Sequence, residues 1–310
     1  MTKFAFVFPG QGSQSRGMMN GFADFPVVRD TFAEASDVLK QDLWQLVTEG
    51  TDTELNATIN TQPLMLTAGV AVYRAWQSQH GAQPTVMAGH SLGEYTALTV
   101  AGAFSFADAL PLVRYRAECM QQAVPEGAGG IAAILGLDDE TVRALCQEAA
   151  QGQVLEAVNF NSPGQVVIAG DRAAVERGMA LAKDKGAKRA LMLPMSVPSH
   201  CSLLRGAAEK LCAYLAGVSV RQPAIPVIHN ADVASHPDAD AIRDALVRQL
   251  YLPVRWVETV LSFAHQGITH NVECAPGKVL VGLNKRIDSN QQALSIHDGE
   301  TLRATLAALV

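Results

Sequence analysis

Two short, continuous apolar runs in the chain are each followed by a glycine-rich segment. Residues 4–8 (Phe-Ala-Phe-Val-Phe) lead into Pro-Gly-Gln-Gly-Ser-Gln at 9–14, and residues 86–88 (Val-Met-Ala) lead into Gly-His-Ser-Leu-Gly at 89–93. Apolar runs without polar alternation are typical of strands buried on both faces of a parallel sheet. We therefore predict an α/β fold in which both glycine-rich segments lie at the carboxyl ends of strands, where ligands of such sheets bind.

Helical periodicity dominates the segment between these two strands. Residues 30–40 have an amphipathic pattern, and a second helix is predicted to begin at 61–63, with Pro63 in its first turn, and to continue through Tyr73. Gln62 then lies at the start of this helix. A polar first-turn residue and a ligand contact both fit that position.

The helix predicted over residues 108–122 carries a cation on its apolar face. Arg116 lies in the middle of that face at helical spacing, whereas Arg114 and Glu118 point away. A buried guanidinium must be paired, so its partner is either an internal Asp or Glu or a carboxylate on the substrate. The planar guanidinium can bind a carboxylate through two hydrogen bonds, which would make Arg116 selective for acyl groups that end in one. Spacing alone leaves both alternatives open.

A different alternation of elements is predicted between residues 126 and 194. Its order, βαββαβ, is that of the ferredoxin-like split unit, which indicates an inserted subdomain with a ligand cleft beside it. A turn is predicted at 161–164, and Gly186 is expected to end the second helix of the unit. The predicted strands are 130–137, 154–159, 165–170 and 188–193, and the predicted helices are 139–149 and 171–185.

A histidine follows this unit in a polar segment at 196–202. We expect Ser199 to cap a helix over 203–216, which places His200 in the first turn, where the helix dipole would keep the imidazole neutral. A lone histidine is more often structural than catalytic, so pairing with a nucleophile is needed to assign His200 a role. Cys201 is a rival nucleophile, but the pattern favours a core cysteine.

The remaining C-terminal elements are predicted from shorter patterns. A strand is expected at 225–229, helices at 241–251 and 256–266, and a last strand that ends in 272–277 before a helix beginning near Lys278. His265 and His270 have no acidic or cysteine partner nearby, so no metal site is predicted.

Composition narrows the function classes. A chain of 310 residues with 48% hydrophobic and 17% charged residues can bury a large core, and its formal net charge of -6 argues against nucleic acid or an anionic membrane as the main partner. Its five cysteines form no C-x-x-C pair, which favours a reducing compartment. The N-terminal apolar run is too short for a signal peptide or a membrane span, so we expect a cytoplasmic protein.

The segment 89–93 has the G-x-S-x-G pattern of a nucleophile elbow. In this turn the flanking glycines permit a tight strand-to-helix corner that exposes Ser91 at the start of a helix, where unpaired N–H groups favour negative charge. An ordinary strand-to-helix turn is the alternative. The loop at 9–14 lacks a Walker lysine and the third glycine of a dinucleotide loop, which argues against a nucleotide site. Its Gln11 N–H is a candidate oxyanion donor if it faces Ser91, and an ordinary glycine-rich turn is the alternative.

Together these motifs resemble the malonyl-coenzyme A:acyl carrier protein transacylases of fatty acid synthesis over nearly the whole chain. Two departures are Ala275, where the family has glycine, and Val-Pro-Ser before His200, where malonyl-selective polyketide domains often carry phenylalanine. The matching stretches are 8–14, 89–95, Arg116 with Met120, 159–165, 197–200, and 249–251 before Pro253 and Val254.

The resemblance implies a fold and a set of residue roles. It implies an α/β-hydrolase-like core formed by residues 1–125 and 195–310, with a parallel sheet, and the inserted ferredoxin-like subdomain at 126–194. The implied catalytic residues are Ser91 as nucleophile and His200 as base. The other implied roles are an oxyanion hole from the N–H groups of Gln11 and Leu92, a carboxylate clamp at Arg116, and a Gln249 carbonyl that orients His200.

The resemblance also implies the substrates and partners. Malonyl-coenzyme A would acylate Ser91, and the pantetheine thiol of holo acyl carrier protein would then take the malonyl group in a ping-pong reaction that needs no cofactor and no metal. We expect a monomer without nucleic-acid or membrane partners. Candidate docking cations for an acidic carrier protein are Lys188, Arg189, Lys278, Lys285 and Arg286, each of which is also compatible with a simple solvated face.

Two other function classes remain open from the sequence. A serine hydrolase would use the same elbow without needing an inward arginine, and would release free acid from malonyl-coenzyme A in the absence of carrier protein. A binding module would hold acyl-coenzyme A without forming a covalent adduct.

Overall fold

The larger of two sheets is parallel. Because β1 and β2 are neighbours in it, the two glycine-rich segments that follow them begin side by side. The computed structural model describes residues 2–195 and 197–309, so Ser196 at the start of the polar segment lies outside the described residues. The strand order is β7-β2-β1-β8-β9, with every pair parallel. Its strands are β1 (Phe4–Phe8), β2 (Val86–Gly89), β7 (Val227–Ile228), β8 (His270–Cys274) and β9 (Gln292–Ile296).

Strand β1 is central and buried on both faces, as its apolar run predicts. Phe4 and Phe6 make edge-to-face contacts with Trp76 on one side of the sheet. Ala5 and Val7 belong to a separate buried cluster with Trp256 on the other side. Helices therefore cover both faces of the sheet at β1, and a ligand can approach at the carboxyl ends of the strands.

Thirteen helices occur in the described residues. The predicted helices at 30–40 and 108–122 are confirmed, each with an earlier start. The helices are α1 (Pro26–Leu39), α2 (Leu43–Glu49), α3 (Asp52–Asn56), α4 (Thr58–Ser78), α5 (Leu92–Val100), α6 (Phe106–Gln122), α7 (Asp139–Ala150), α8 (Arg172–Asp184), α9 (Arg205–Leu215), α10 (Ala239–Gln249), α11 (Trp256–His265), α12 (Val279–Ile287) and α13 (Gly299–Ala308).

The predicted start of α4 at 61–63 is wrong. The N–H groups of Asn60 and Thr61 already donate to the Ala57 carbonyl at 2.8 and 2.9 Å, so the chain is helical before it reaches Pro63. Pro63 therefore lies inside the helix, where it removes one backbone hydrogen bond. The consequence for the site is that Gln62 lies one turn into the helix and is 1% exposed, rather than at a solvated helix end.

The smaller sheet is antiparallel and follows the predicted βαββαβ order. Its strands are arranged as β4-β5-β3-β6, and α7 and α8 contribute to a buried cluster of their own on one face. The predicted turn at 161–164 is too long, because β4 pairs with β5 as far as Ser162, which lies opposite Gln165. Two register shifts interrupt this pairing. The strands are β3 (Gly129–Leu135), β4 (Leu155–Ser162), β5 (Gln165–Asp171) and β6 (Arg189–Met192).

The two sheets are joined by contacts at the end of β4. The Phe160 N–H donates to the Val254 carbonyl at 3.0 Å. The Arg286 guanidinium donates to Ser162 Oγ at 3.2 Å and to Gln165 Oε1 at 2.7 Å. Arg286, predicted as a docking cation, thus has a bridging contact within the chain although its side chain is exposed.

Two C-terminal elements were not predicted from the sequence, because the strand ending in 272–277 was predicted to be the last strand of the chain. Strand β9 adds to the sheet beside β8, and α13 follows it with an Asp298 capping box. The alternating burial of β9 is weak, with one exposed, two half-buried and two buried positions, so its sequence lacks a clear periodic signal. All five cysteines are free, and no helix in the described residues is long and apolar enough to span a membrane.

Candidate active site

The segment 89–93 forms a strained corner between β2 and α5. Ser91 is the N-cap of α5 and has a positive φ of 53°, with ψ of -110°. A Cβ on Gly89 would lie 1.8 Å from the carbonyl carbon of Gly93, and a Cβ on Gly93 would lie 1.9 Å from the Phe8 carbonyl oxygen. Both glycines are therefore required for the corner to form, and the elbow predicted from sequence is confirmed.

His200 lies within hydrogen-bond distance of Ser91 although 109 positions separate them. The distance from Ser91 Oγ to His200 Nε2 is 2.8 Å, and from His200 Nδ1 to the Gln249 carbonyl oxygen 2.7 Å. A carbonyl only accepts, so Nδ1 carries the proton and Nε2 offers its lone pair to the serine hydroxyl. This arrangement lets the imidazole take a proton from Ser91.

The predicted position of His200 in the first turn of a helix is wrong. His200 has a positive φ of 66°, and a 3-10 turn at Ser202–Leu204 separates it from α9. Ser199 Oγ contacts the Val197 carbonyl at 3.4 Å instead of capping a helix. The imidazole lies instead against the C-terminal end of α10, where Gln249 is the last residue and its carbonyl has no partner within the helix.

Burial keeps the His200 imidazole neutral, in place of the predicted helix dipole. The side chain is 2% exposed, and desolvation, followed by the positive charge of Arg116, lowers the pKa of His200 from 6.5 to about 3. The C-terminal end of α10 carries partial negative charge, which favours an imidazolium when one forms during reaction.

We expect acylation of Ser91 in the free protein to be insensitive to acid down to pH 5. With the pKa of His200 at about 3, the base stays neutral over this range. The neutral fraction of a solvated imidazole would instead fall about 25-fold between pH 7 and pH 5. The measurement is the second-order rate of covalent labelling of Ser91 by an acyl thioester, with circular dichroism as the control for folding. A fall of about 25-fold in the labelling rate would show that His200 titrates like a solvated histidine.

Arg116 is buried among neutral partners. Its side chain is 1% exposed, and its guanidinium donates to Gln62 Oε1 at 2.8 Å, to Gln249 Oε1 at 3.0 Å and to Ser91 Oγ at 3.3 Å. No ion pair within 2–195 and 197–309 includes Arg116, and its Nε has no hydrogen-bond partner there. Of the two sequence alternatives, an internal ion pair is therefore not formed, and Gln62 is a partner of the arginine rather than a solvated polar residue.

Ser91, Arg116 and His200 line one cavity of about 170 Å³. Leu92 is the first residue of α5, so its N–H has no acceptor within the helix. Gln11 lies on the loop after β1, where the chain passes so close to the elbow that a Cβ on Gly10 would lie 2.6 Å from the His90 carbonyl oxygen. The lining contains Gln11, Gln62, Ser91, Leu92, Arg116 and His200. Gln249 lies behind it.

Cys201, the rival nucleophile, is placed in the core. It is fully buried, its Sγ lies 3.1 Å from the Pro198 carbonyl oxygen, and burial raises its pKa to about 12. A thiol held protonated in an apolar cluster is a poor nucleophile. The prediction that Cys201 is a core residue is confirmed.

Sequence reasoning missed a set of polar residues beneath the elbow. Asn230 accepts from the Ser91 N–H at 2.7 Å and donates to the Gly89 carbonyl at 2.6 Å, which fixes the corner from below. Glu94 is fully buried and accepts from Asn230 N at 2.9 Å. The available signal was that Glu94 is the single charged residue of α5 (Leu92–Val100), because a buried charge requires dedicated partners.

A serine on a strained strand-to-helix corner, paired with a buried imidazole beside one cavity, is typical of the class of enzymes that take up acyl groups on serine. The comparisons are more specific. Residues 5–298 match the acyl transferase domain family. Malonyl CoA-acyl carrier protein transacylase of Escherichia coli (strain K12) is 56% identical over 307 residues, 99% of each chain. That of Bacillus subtilis (strain 168) is 40% identical over 311 residues, 100% of this chain and 98% of the relative.

Solved structures agree with this match. The acyl-carrier-protein S-malonyltransferase from Burkholderia pseudomallei 1710b superposes with a TM-score of 0.97 at 61% identity, covering 99% of this chain and 100% of that chain. The malonyl-transacylase of a complex with its type II PKS acyl-carrier protein gives a TM-score of 0.98 at 53% identity, covering 99% of this chain and 100% of that chain. The chain therefore belongs to the acyl transferase family, among its malonyl CoA-acyl carrier protein transacylases.

Proposed function

We propose that this enzyme transfers the malonyl group of malonyl-coenzyme A to the pantetheine thiol of holo acyl carrier protein, through a malonyl ester on Ser91, and so supplies fatty acid synthesis. The observation that carries the proposal is Arg116, a buried cation without a carboxylate partner in the described chain, 3.3 Å from the serine oxygen. A carboxylate carried by the acyl group would complete its pairing and set the thioester carbonyl beside Ser91.

In the first half-reaction His200 Nε2 takes the hydroxyl proton as Ser91 Oγ forms a bond to the thioester carbon. Charge develops on the carbonyl oxygen, and the N–H groups of Gln11 and Leu92 are the proposed donors to it. The intermediate then collapses, the C–S bond breaks, and the imidazolium gives its proton to the departing coenzyme A thiolate. The Gln249 carbonyl holds the imidazole in the required tautomer throughout.

In the second half-reaction the pantetheine thiol gives its proton to His200 and attacks the malonyl ester, and Ser91 leaves with that proton. Starting and final thioesters are close in free energy, so the useful reaction depends on keeping water from the ester. The small cavity and the nearly complete burial of Arg116 and His200 support that exclusion. Every step uses groups of the chain or the two substrates, so the proposal includes no cofactor and no metal.

We assign the larger sheet and its helices to an α/β-hydrolase-like core of residues 1–125 and 195–310, and 126–194 to a ferredoxin-like subdomain. The parallel order β7-β2-β1-β8-β9 with the serine corner after β2 supports the first assignment. The antiparallel order β4-β5-β3-β6 with both helices on one face supports the second. His200 and Arg116 then both come from the core, and the subdomain contributes one wall of the cavity.

We propose that the carrier protein docks where cations and exposed apolar side chains occur together. Lys188 and Arg189 precede Leu191 and Met192 on β6, which are 47% and 36% exposed. Val279, 47% exposed beside Lys278 at the start of α12, also lines the cavity. Cations around an apolar centre suit an acidic partner that must deliver a long prosthetic arm into the site.

Intact-protein mass spectrometry tests the proposed function. Mixing with malonyl-coenzyme A is expected to add one malonyl group to the protein. Adding holo carrier protein is then expected to remove this group from the enzyme and to give malonylated carrier protein. Apo carrier protein, which lacks the thiol, is the control. Release of free malonate without carrier would instead identify a hydrolase, and absence of any adduct would identify a binding module.

A further inference from the structure

The site contains a second buried charge that the proposed mechanism does not use. Glu94, in the first turn of α5, is fully buried, and among the described residues no lysine or arginine lies within ion-pair distance of it. Its carboxylate accepts from His229 Nδ1 at 2.7 Å, from Asn230 N at 2.9 Å and from Gln249 Nε2 at 2.9 Å. Only donors face it, which is the environment of an ionised carboxylate.

His229 is the one partner of Glu94 that could itself carry charge. It is buried, and its Nε2 has no hydrogen-bond partner among the described residues. An imidazolium would leave an unpaired N–H in that position, whereas the neutral tautomer with its proton on Nδ1 leaves only a lone pair. His229 therefore serves as a neutral donor, and the negative charge of Glu94 is not cancelled locally.

The side chain of Gln249 is the link between Glu94 and Arg116. Its Nε2 donates to Glu94 Oε2 at 2.9 Å and to the Ser91 carbonyl at 2.9 Å, and its Oε1 accepts from Arg116 Nη2 at 3.0 Å. The reverse amide orientation would set two donors against each other at Arg116 and two acceptors at Glu94, so the charges fix its direction. The anion thus acts on the cation through one polarised amide instead of through a direct ion pair.

We propose that Glu94 is a positioning residue that, through the Gln249 side chain, supplies the countercharge for Arg116 while leaving the guanidinium free to take the carboxylate of the acyl group. The inference rests on the proposed malonyl transfer and deepens it. A direct ion pair would block the substrate carboxylate, and no countercharge at all would leave Arg116 uncompensated beside the imidazolium that His200 becomes.

Charges around His200 explain why the countercharge matters for catalysis. Arg116 approaches from α6 and His90 from the elbow, and both disfavour a proton on His200. Glu94 lies on α5 beyond Gln249, and its charge opposes that of Arg116. The neighbouring Tyr95 is a neutral phenol whose ring centroid lies 5.2 Å from the guanidinium carbon. Removing the charge of Glu94 leaves the field of Arg116 stronger at both the imidazole and the acyl pocket.

The test is Glu94→Gln, which keeps the size of the side chain and removes its charge. The new NH2 group can face His229 only if the imidazole carries its proton on the unpartnered Nε2, so the folding of the variant is checked by circular dichroism. For transfer from malonyl-coenzyme A at saturating carrier protein we expect kcat to fall about tenfold while KM decreases, since the more positive pocket holds the carboxylate more tightly but weakens the base. KM for acetyl-coenzyme A, which has no free carboxylate, should not decrease. A raised KM for both substrates would mean a merely structural role, and unchanged kinetics would mean that the charge has no role; either overturns the proposal.

Two further variants make the comparison sharp. Glu94→Asp retains the charge and should recover most of the malonyl kcat without the fall in KM. Glu273→Gln is the control for the loss of a buried carboxyl group. Glu273 is fully buried and accepts from the Val281 N–H near the start of α12, but burial raises its pKa to about 7, so this substitution removes less charge than Glu94→Gln. It should leave the ratio of the two KM values unchanged. Failure of wild-type protein to form a malonyl adduct would overturn the proposed function itself, whereas a normal adduct with unchanged Glu94→Gln kinetics would overturn only the role of Glu94.

Discussion

Replacing Arg116 with alanine is expected to reduce malonyl transfer by a factor of about 10² or more, while acetyl transfer persists or improves. The loss corresponds to ~3 kcal/mol for a desolvated, charge-assisted pair of hydrogen bonds to the substrate carboxylate. Acetyl-coenzyme A has no carboxylate to lose, and removing the cation also removes one cause of the lowered pKa of His200. The measurement is kcat/KM for both substrates with the same carrier protein.

Arg114→Ala is the matched control for this prediction. Arg114 lies two positions earlier on α6 and is directed to the other side, where it donates to the Leu39 carbonyl and to Gln41. Its removal can lower stability but should not change the malonyl-to-acetyl ratio. Equal losses of both activities in Arg116→Ala would show that Arg116 holds the site together rather than selecting the acyl group.

Replacing Ser91 with alanine is expected to abolish the malonyl adduct and to lower transfer by at least about 10³-fold. The reason is that the proposed reaction has no alternative nucleophile: the remaining hydrogen-bond donors can bind the thioester but cannot form an ester. The structure of the elbow should persist, because its shape depends on Gly89, Gly93 and Asn230 rather than on the serine oxygen. Intact mass and steady-state transfer are measured on the same preparation.

Cys201→Ala provides the comparison for Ser91→Ala. Cys201 lies next to His200 in sequence, yet it is buried in a cluster with its thiol protonated. We expect the full malonyl adduct in this variant, with some loss of stability from the small cavity left in the core. An adduct that survives in Ser91→Ala and disappears in Cys201→Ala would assign the nucleophile to the thiol and contradict the proposed mechanism.

The main elements of the fold followed from local patterns. The apolar run of β1 predicted burial on both faces, and the alternation between 129 and 192 predicted the second sheet, because each signal is contained within a few consecutive residues. Boundaries failed where backbone hydrogen bonds set them, because these bonds leave no signal in the pattern of apolar and polar side chains. Pairing with β5 extends β4 to Ser162, and α4 begins before Pro63 because the Ala57 carbonyl is available to the preceding N–H groups.

The sequence by itself determined the elbow, since two glycines flanking Ser91 are the only residues that the corner can accommodate. It also determined that Arg116 is inward, because helical spacing places it among apolar neighbours. What faces Arg116, why His200 stays neutral and where the charge of Glu94 acts were decided only by the tertiary structure. Those properties depend on burial and on partners up to 158 positions apart, and electrostatic energies are set by distance and desolvation in three dimensions, which no local pattern of residues contains.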